Sequence, residues 1–245
     1  MRFHVVTLFP ELFGSFLRAG LLGKAIAAGT LSVGFTNPRD FTSDRHRTVD
    51  DAPYGGGSGM VMRPGPLVEA MESLPEVPAG GPTYRVLLTP QGKPFRQADA
   101  QRLAALPALA LVCGRYEGVD ERVREHVDEE LSLGDFVLLG GEVAAMAVLE
   151  ATARLVPGVL GNAESAGDES HVAGLLEYPQ YTRPQEFRGV AVPEVLRSGD
   201  HAAIARWRRR EALARTRARR PELFAELELG DEDRALLREL DDEGR

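Results

Sequence analysis

Leu131–Met146, LSLGDFVLLGGEVAAM, is the stretch on which the reading of this chain turns. Its apolar run Phe136-Val137-Leu138-Leu139 is bracketed by Gly134 on one side and Gly140-Gly141 on the other. The run predicts a short buried strand over 136–139, and residues 141–155 predict the helix that follows it. Glycine permits positive φ or close approach of the main chain to a ligand. That much backbone freedom at both ends of one strand predicts a ligand loop built largely of main chain and closed by the helix.

The same pattern repeats outward. Residues 3–8, FHVVTL, predict a first strand, and Pro10 opens a helix with Leu12, Phe13, Phe16 and Leu17 on one face. Leu31, Val33 and Phe35 alternate with small polar residues as a second strand, and a long glycine-rich loop runs from Asn37 to Met62. A helix is predicted over 66–74, strands over 84–89 and 108–112, and helices over 95–106 and near 120–127. Strands alternating with helices predict an α/β domain with a mostly parallel sheet. Gln91-Gly92, Cys113-Gly114 and Gly140-Gly141 follow three successive strands, at the sheet edge where ligands of open α/β folds bind.

After Pro157 the chain becomes poor in apolar residues up to about Gly174. Three segments are expected: a catalytic domain over 1–160, a flexible linker over 161–174, and a small all-α domain over 175–245.

With 245 residues, 43% hydrophobic and 27% charged, the composition is that of a soluble globular protein. No apolar run approaches the ~20 residues that span a bilayer. The start, MRFHVVTLFPELF, lacks signal-peptide character, and the single cysteine, Cys113, cannot form an intramolecular disulfide. A cytoplasmic enzyme with no membrane partner is expected. The net charge of −8 argues against nucleic acid, but its distribution does not. Residues 201–220, HAAIARWRRREALARTRARR, carry eight arginines against one acid, Glu211, whereas the chain from Glu222 onward is acidic. A solvated helix face is the ordinary meaning of a charge run. The density and single sign of this one favour contact with an RNA backbone.

Tyr54–Gly59, YGGGSG, has the look of a phosphate cradle, but no GK[ST] follows, and no GxGxxG follows the first strand. Nucleotide-triphosphatase and dinucleotide readings are therefore excluded. Cys113 reads as a small buried residue rather than a nucleophile. The five histidines have no metal-ligand spacing. Asp168-Glu169 lies in the linker, either as a solvated pair or as a carboxylate able to fold onto a substrate as general base. Arg154 lies far along the helix that follows the double glycine, and so is placed to serve a different site, one across a dimer interface.

LFPELF (8–13), DDAPYGGGSGMVM (50–62), TPQGKPF (89–95), LVCGRYEGVDERV (111–123), SLGDFVLLGGE (132–142), RLVPGVLGN (154–162), LLEYPQYTRP (175–184) and SGDHAAIARWR (198–208) occur in one order. In these motifs the chain resembles the bacterial tRNA (guanine-N1)-methyltransferases, nearly end to end. The resemblance implies a knotted fold of the SPOUT type, with a deep trefoil knot that binds S-adenosylmethionine. It implies cofactor contacts from Leu87, Leu88, Thr89 and Pro90, from Gly114, Tyr116 and Glu117, and from Ser132, Leu133, Gly134, Asp135, Phe136, Val137, Leu138, Gly140 and Gly141. It implies a homodimer with shared active sites, a magnesium requirement with no site evident in the sequence, and no DNA partner. The implied substrate is the anticodon stem-loop of tRNA with guanosine at position 37, contacted by Gly59, Ser165, Arg183, Arg208, Arg209 and Arg210.

The implied chemistry is direct methyl transfer, with a linker carboxylate taking the N1 proton and Arg154 stabilising charge on O6. The family pattern places aspartate immediately before the linker serine. Here that position holds Glu169, with Asp168 one place earlier, so Glu169 is the expected base and Asp168 the alternative. Phe136 stands where the family usually has tyrosine, and Val143-Ala144 where it usually has Leu-Pro. Two competing readings are a non-catalytic RNA-binding protein on this scaffold and a knotted enzyme that methylates ribose 2′-hydroxyls.

Overall fold

The computed structural model describes residues 1–77, 82–161, 170–171 and 174–243. The chain divides into two compact units, Met1–Ala163 and Glu164–Arg245.

The first unit is built on a five-stranded sheet. In chain order it contains β1 (Arg2–Val6), α1 (Gly20–Ala27), β2 (Ser32–Thr36), the short strands β3 (Asp50–Asp51) and β4 (Val61–Met62), α2 (Pro64–Glu72), β5 (Tyr84–Pro94), α3 (Gln97–Ala104), β6 (Ala108–Cys113), β7 (Glu129–Ser132) and α4 (Glu142–Ala153). The sheet order is β2-β1-β6-β5-β7, with every pairing parallel. This is the α/β class with a parallel sheet that the alternating pattern predicts.

Parallel strands covered on both faces need near-continuous apolar sequence. β6 meets that demand, with all six residues of ALALVC buried. Period-two geometry then divides the core. Phe3, Val5, Val86, Leu88, Leu109 and Leu111 pack with Val148 and Leu149 of α4 and Leu103 of α3. Val6, Leu87 and Val112 point the other way, onto Leu67 and Met71 of α2 and Val123.

The strand predicted over 136–139 does not exist; the fifth strand is β7, Glu129–Ser132. Phe136, Val137 and Leu139 are 55%, 82% and 92% exposed. They form a loop between β7 and α4. A short apolar run has the same composition whether it fills a core or lines a surface that another molecule covers. β5 also runs beyond its predicted end, because Lys93 and Pro94 rejoin β7 after a register break at Leu88/Lys93. The helices expected after Pro10 and near 120–127 are 3-10 turns, at Pro10–Phe13, Phe16–Arg18 and Glu121–His126.

The second unit contains the hairpin β8 (Glu186–Phe187) and β9 (Val190–Ala191), then α5 (His201–Arg219), α6 (Pro221–Ala225) and α7 (Asp231–Glu243). The hairpin adds two short strands to the expected all-helical content. Asp200 caps α5 by accepting from the backbone N–H groups of Ala202 and Ala203, both at 3.0 Å. Leu213 and Leu236, fully buried, join α5 to α7 with Ala212 and Leu175.

Candidate active site

A cleft of about 380 Å³ opens at the C-terminal edge of the sheet. That volume is within the range of small-molecule sites. Three separate stretches form its walls. Leu87, Leu88, Thr89 and Pro90 come from β5; Gly114, Tyr116 and Glu117 from the segment after β6; and Ser132 from the end of β7 with Leu133, Phe136, Val137, Leu138, Leu139, Gly140 and Gly141 from the segment after it. Gly134 and Asp135 of the expected set do not line it. Gly134 instead makes the turn, with φ 155° and its carbonyl accepting from the Phe136 N–H at 2.9 Å. Gln91, Arg115, Glu121 and Arg124 also line the cleft. All four fall within the motifs TPQGKPF and LVCGRYEGVDERV or directly after them; the strand-end pattern points to Gln91, whereas Arg115, Glu121 and Arg124 are not among the expected contacts.

The double glycine is required by a crossing of two chain segments. A Cβ on Gly141 would stand 2.7 Å from Cys113 Cα, and one on Gly140 would stand 2.3 Å from Arg115 Nε. Gly141 N–H donates to the Gly114 carbonyl at 2.9 Å, and Arg115 and Gly140 form an isolated antiparallel bridge. The segment after β7 thus lies directly on the segment after β6. Neither glycine has positive φ, so contact rather than backbone conformation excludes a side chain there.

A partly buried ion pair, Arg115 with Glu142, stands behind this crossing. Glu142, the first residue of α4, is 1% exposed. Its Oε1 accepts from Thr7 Oγ1 at 2.8 Å, and its Oε2 accepts from Arg115 Nε at 2.9 Å. Arg115 Nη1 donates to the Leu139 carbonyl at 3.4 Å, and the guanidinium lies 4.4 Å over the Phe9 ring.

The glycine-rich loop closes the other side. Glu117 N–H donates to the Met60 carbonyl at 3.0 Å, and Met62 N–H to the Gly118 carbonyl at 2.9 Å. At Gly59, φ is 82° and a Cβ would stand 2.3 Å from Glu117 Oε1. The loop singled out as a cradle is therefore docked against the segment that carries Glu117.

Cys113 is buried, and burial, reinforced by Glu142 against the opposing Arg115, pushes its thiol well above the ordinary value. A thiol so buried, and disfavoured as thiolate, is poorly suited to act as a nucleophile. Among the described residues, no group of three or more His, Cys, Asp or Glu side chains is placed to hold a metal ion.

Arg154 is half-buried at the C-terminus of α4 and lines a different cavity, of about 440 Å³, with Phe16, Leu21, Leu22 and Val159. Asp168, Glu169 and Ser165 lie outside the described residues. In the second unit, Arg183 is exposed, Arg208 lies 4.8 Å over the Tyr178 ring, Arg209 pairs with Asp233, and Arg210 approaches Glu211 at 3.5 Å. Among the described residues, no helix is long and apolar enough to cross a membrane.

A sequence profile described as tRNA (Guanine-1)-methyltransferase TrmD matches residues 1–226. Relatives named tRNA (guanine-N(1)-)-methyltransferase include three that align over nearly the whole chain. The one from Sorangium cellulosum is 60% identical, with 94% of this chain and 96% of the relative aligned. The one from Gloeobacter violaceus is 58% identical, with 91% and 98% aligned. The one from Synechococcus sp. strain JA-3-3Ab is 55% identical, with 98% and 94% aligned. Profile and relatives each span most of the chain, including all three walls of the cleft, and the chain belongs to the tRNA (guanine-1)-methyltransferase family.

Proposed function

We propose that this protein methylates N1 of guanosine at position 37 of tRNA, with S-adenosylmethionine as donor. The observation that carries this reading is the convergence of three main-chain loops on one cleft at the sheet edge. Their exposed peptide groups suit a ligand that has both an adenine edge and an amino-acid end. The apolar wall of Phe136, Val137 and Leu138 suits its adenine ring and the methylene groups beside its sulfonium. The crossing of the Gly114–Arg115 and Gly140–Gly141 segments supports a knotted path.

S-adenosylmethionine, when bound, supplies an electrophilic methyl group. The cleft holds and orients it, and the docked Gly59 loop flanks the segment that carries Glu117. Glu169, the aligned linker carboxylate, removes the N1 proton of guanine, with Asp168 as the alternative. Arg154 stabilises the negative charge that develops on O6. Arg154 belongs to a cavity other than the cleft, which supports a homodimer in which each active site draws on both subunits. Gly59, Ser165, Arg183 and the Arg208–Arg210 face contact the RNA, and the soluble protein works in the cytoplasm. Direct displacement requires no covalent enzyme intermediate, consistent with the buried Cys113.

The test is methyl transfer from labelled S-adenosylmethionine to tRNA transcripts carrying G or A at position 37, with the modified nucleoside identified. Labelling of the G transcript alone, as N1-methylguanosine, is expected; equal labelling of both overturns the reading. Glu169→Gln is expected to abolish turnover while leaving cofactor binding intact. Near-normal turnover in that variant assigns the proton transfer to Asp168.

A further inference from the structure

We propose that Glu142 is a positioning residue: through Arg115 and Thr7, its buried carboxylate sets the spacing of two cleft walls and so the affinity for the cofactor. This rests on the reading of the cleft as the S-adenosylmethionine site.

A carboxylate that is 1% exposed persists only where hydrogen bonds and an opposite charge replace its water. The partners of Glu142 come from distant regions of the sequence. Thr7, fully buried, follows β1 and donates to Oε1 at 2.8 Å. Arg115 follows β6 and reaches Oε2 through Nε at 2.9 Å and Nη2 at 2.9 Å. The remaining arm of the same guanidinium donates to the carbonyl of Leu139, in the loop that precedes α4. One planar fork therefore grips both the first residue of α4 and the wall before it, while its own backbone belongs to the opposite wall. The Phe9 ring closes the face of the fork at 4.4 Å, and Phe9 N–H is itself held by Thr7 Oγ1 at 3.0 Å. The LFPELF motif is thereby tied to the cleft although Thr7, Phe9 and Glu142 do not line it, and only Arg115 and Leu139 of this group do.

Stability alone does not explain such a pair, because well-packed apolar residues often serve a core equally well. What the fork adds is fixed geometry. The residue after Arg115, Tyr116, lines the cleft with φ 62°, a conformation that its surroundings must enforce. The pair holds the residue before Tyr116 and the facing Leu139 in place before any ligand arrives, which lowers the cost of binding.

The test compares Thr7→Val, which is nearly isosteric but leaves Oε1 without its donor, with Thr7→Ser, which retains the hydroxyl, and with Glu142→Gln. S-adenosylmethionine binding by titration calorimetry, kcat and KM for cofactor and tRNA, and melting temperature are measured on the full chain. Thr7→Val and Glu142→Gln are expected to raise Kd and KM for the cofactor about tenfold. Thr7→Ser stays close to wild type, as do kcat at saturating cofactor and KM for tRNA. Wild-type cofactor affinity in Thr7→Val overturns the proposal, as does an equal loss of tRNA binding. If Glu142→Gln does not fold, the Thr7 pair decides. Absence of S-adenosylmethionine binding by the wild type overturns the reading of the cleft instead.

Discussion

Arg209 forks onto Asp233, with Nε 2.7 Å from Oδ1 and Nη2 2.8 Å from Oδ2. The pair joins α5 to α7, and Arg206–Glu239 at 2.5 Å and Arg217–Asp241 at 2.9 Å join the same two helices. The dense positive run in the sequence is thus partly neutralised by the acidic run that follows it. Two stretches of opposite sign, read as separate surfaces, meet along a shared interface between these helices.

Arg209→Ala is expected to destabilise the second unit by about 1 kcal/mol, because Asp233 is largely buried while the 41%-exposed arginine keeps much of its hydration. Urea unfolding followed by the fluorescence of Trp207, the only tryptophan, measures this. Hydrogen bonding from Arg209 holds the Asp233 carboxyl below its ordinary value of 3.8. In acid the unfolded chain therefore takes up this proton first. The stabilisation is complete above pH 3.8 and is lost as pH falls through the lower, folded-state value. Asp233→Asn removes that component of the acid sensitivity.

Arg208→Ala is expected to leave unfolding within about 0.5 kcal/mol of wild type. Its cation lies over the Tyr178 ring rather than in a buried ion pair. Its effect falls on RNA: weaker tRNA binding and a shallower slope of log affinity against log salt, by about one. Filter binding of tRNA across a salt series checks this, and an unchanged slope removes Arg208 from the interface.

Gly141→Ala is expected to cost about 3 kcal/mol and to abolish cofactor binding. The new methyl would stand 2.7 Å from Cys113 Cα, and main chain on both sides of the crossing would have to move. Gly161→Ala is the control, since a Cβ there meets nothing within 4 Å, and it stays within about 0.5 kcal/mol of wild type. Thermal melts with and without S-adenosylmethionine distinguish the two.

His4 predicts a pH dependence in the first unit. Burial, aided by the charge of Arg2, lowers its value below the ordinary 6.5, and its Nε2 is 2.7 Å from Thr36 Oγ1. The folded protein thus prefers neutral imidazole. The stabilisation is complete above pH 6.5 and is lost as pH falls through the folded-state value. Unfolding free energy measured across that window should decline for the wild type and flatten for His4→Gln.

Much of the cleft was legible in the sequence because its walls are local motifs. Three glycine-bearing strand ends, read in order, located the sheet edge, and the family resemblance supplied most of the residues that line the cleft. The parallel sheet followed from apolar runs such as ALALV, which is buried at every position. The error at Phe136–Leu139 had a physical cause: composition records how apolar a run is, but not what covers it. That run is exposed at the ligand edge, and the fifth strand is the more polar Glu129–Ser132.

Other features depend on contacts between residues far apart in the chain. Sequence alone located the double glycine, but not the reason for it, since Gly141 and Cys113 are neighbours only once two loops cross. It gave Glu142 no prominence, because the significance of a carboxylate comes from its burial and from partners at Thr7 and Arg115. It also grouped Arg208, Arg209 and Arg210 as one RNA-facing set. Packing separates them: on a helix, adjacent side chains point about 100° apart, and only tertiary structure decides which of them meets an aspartate and which an aromatic ring.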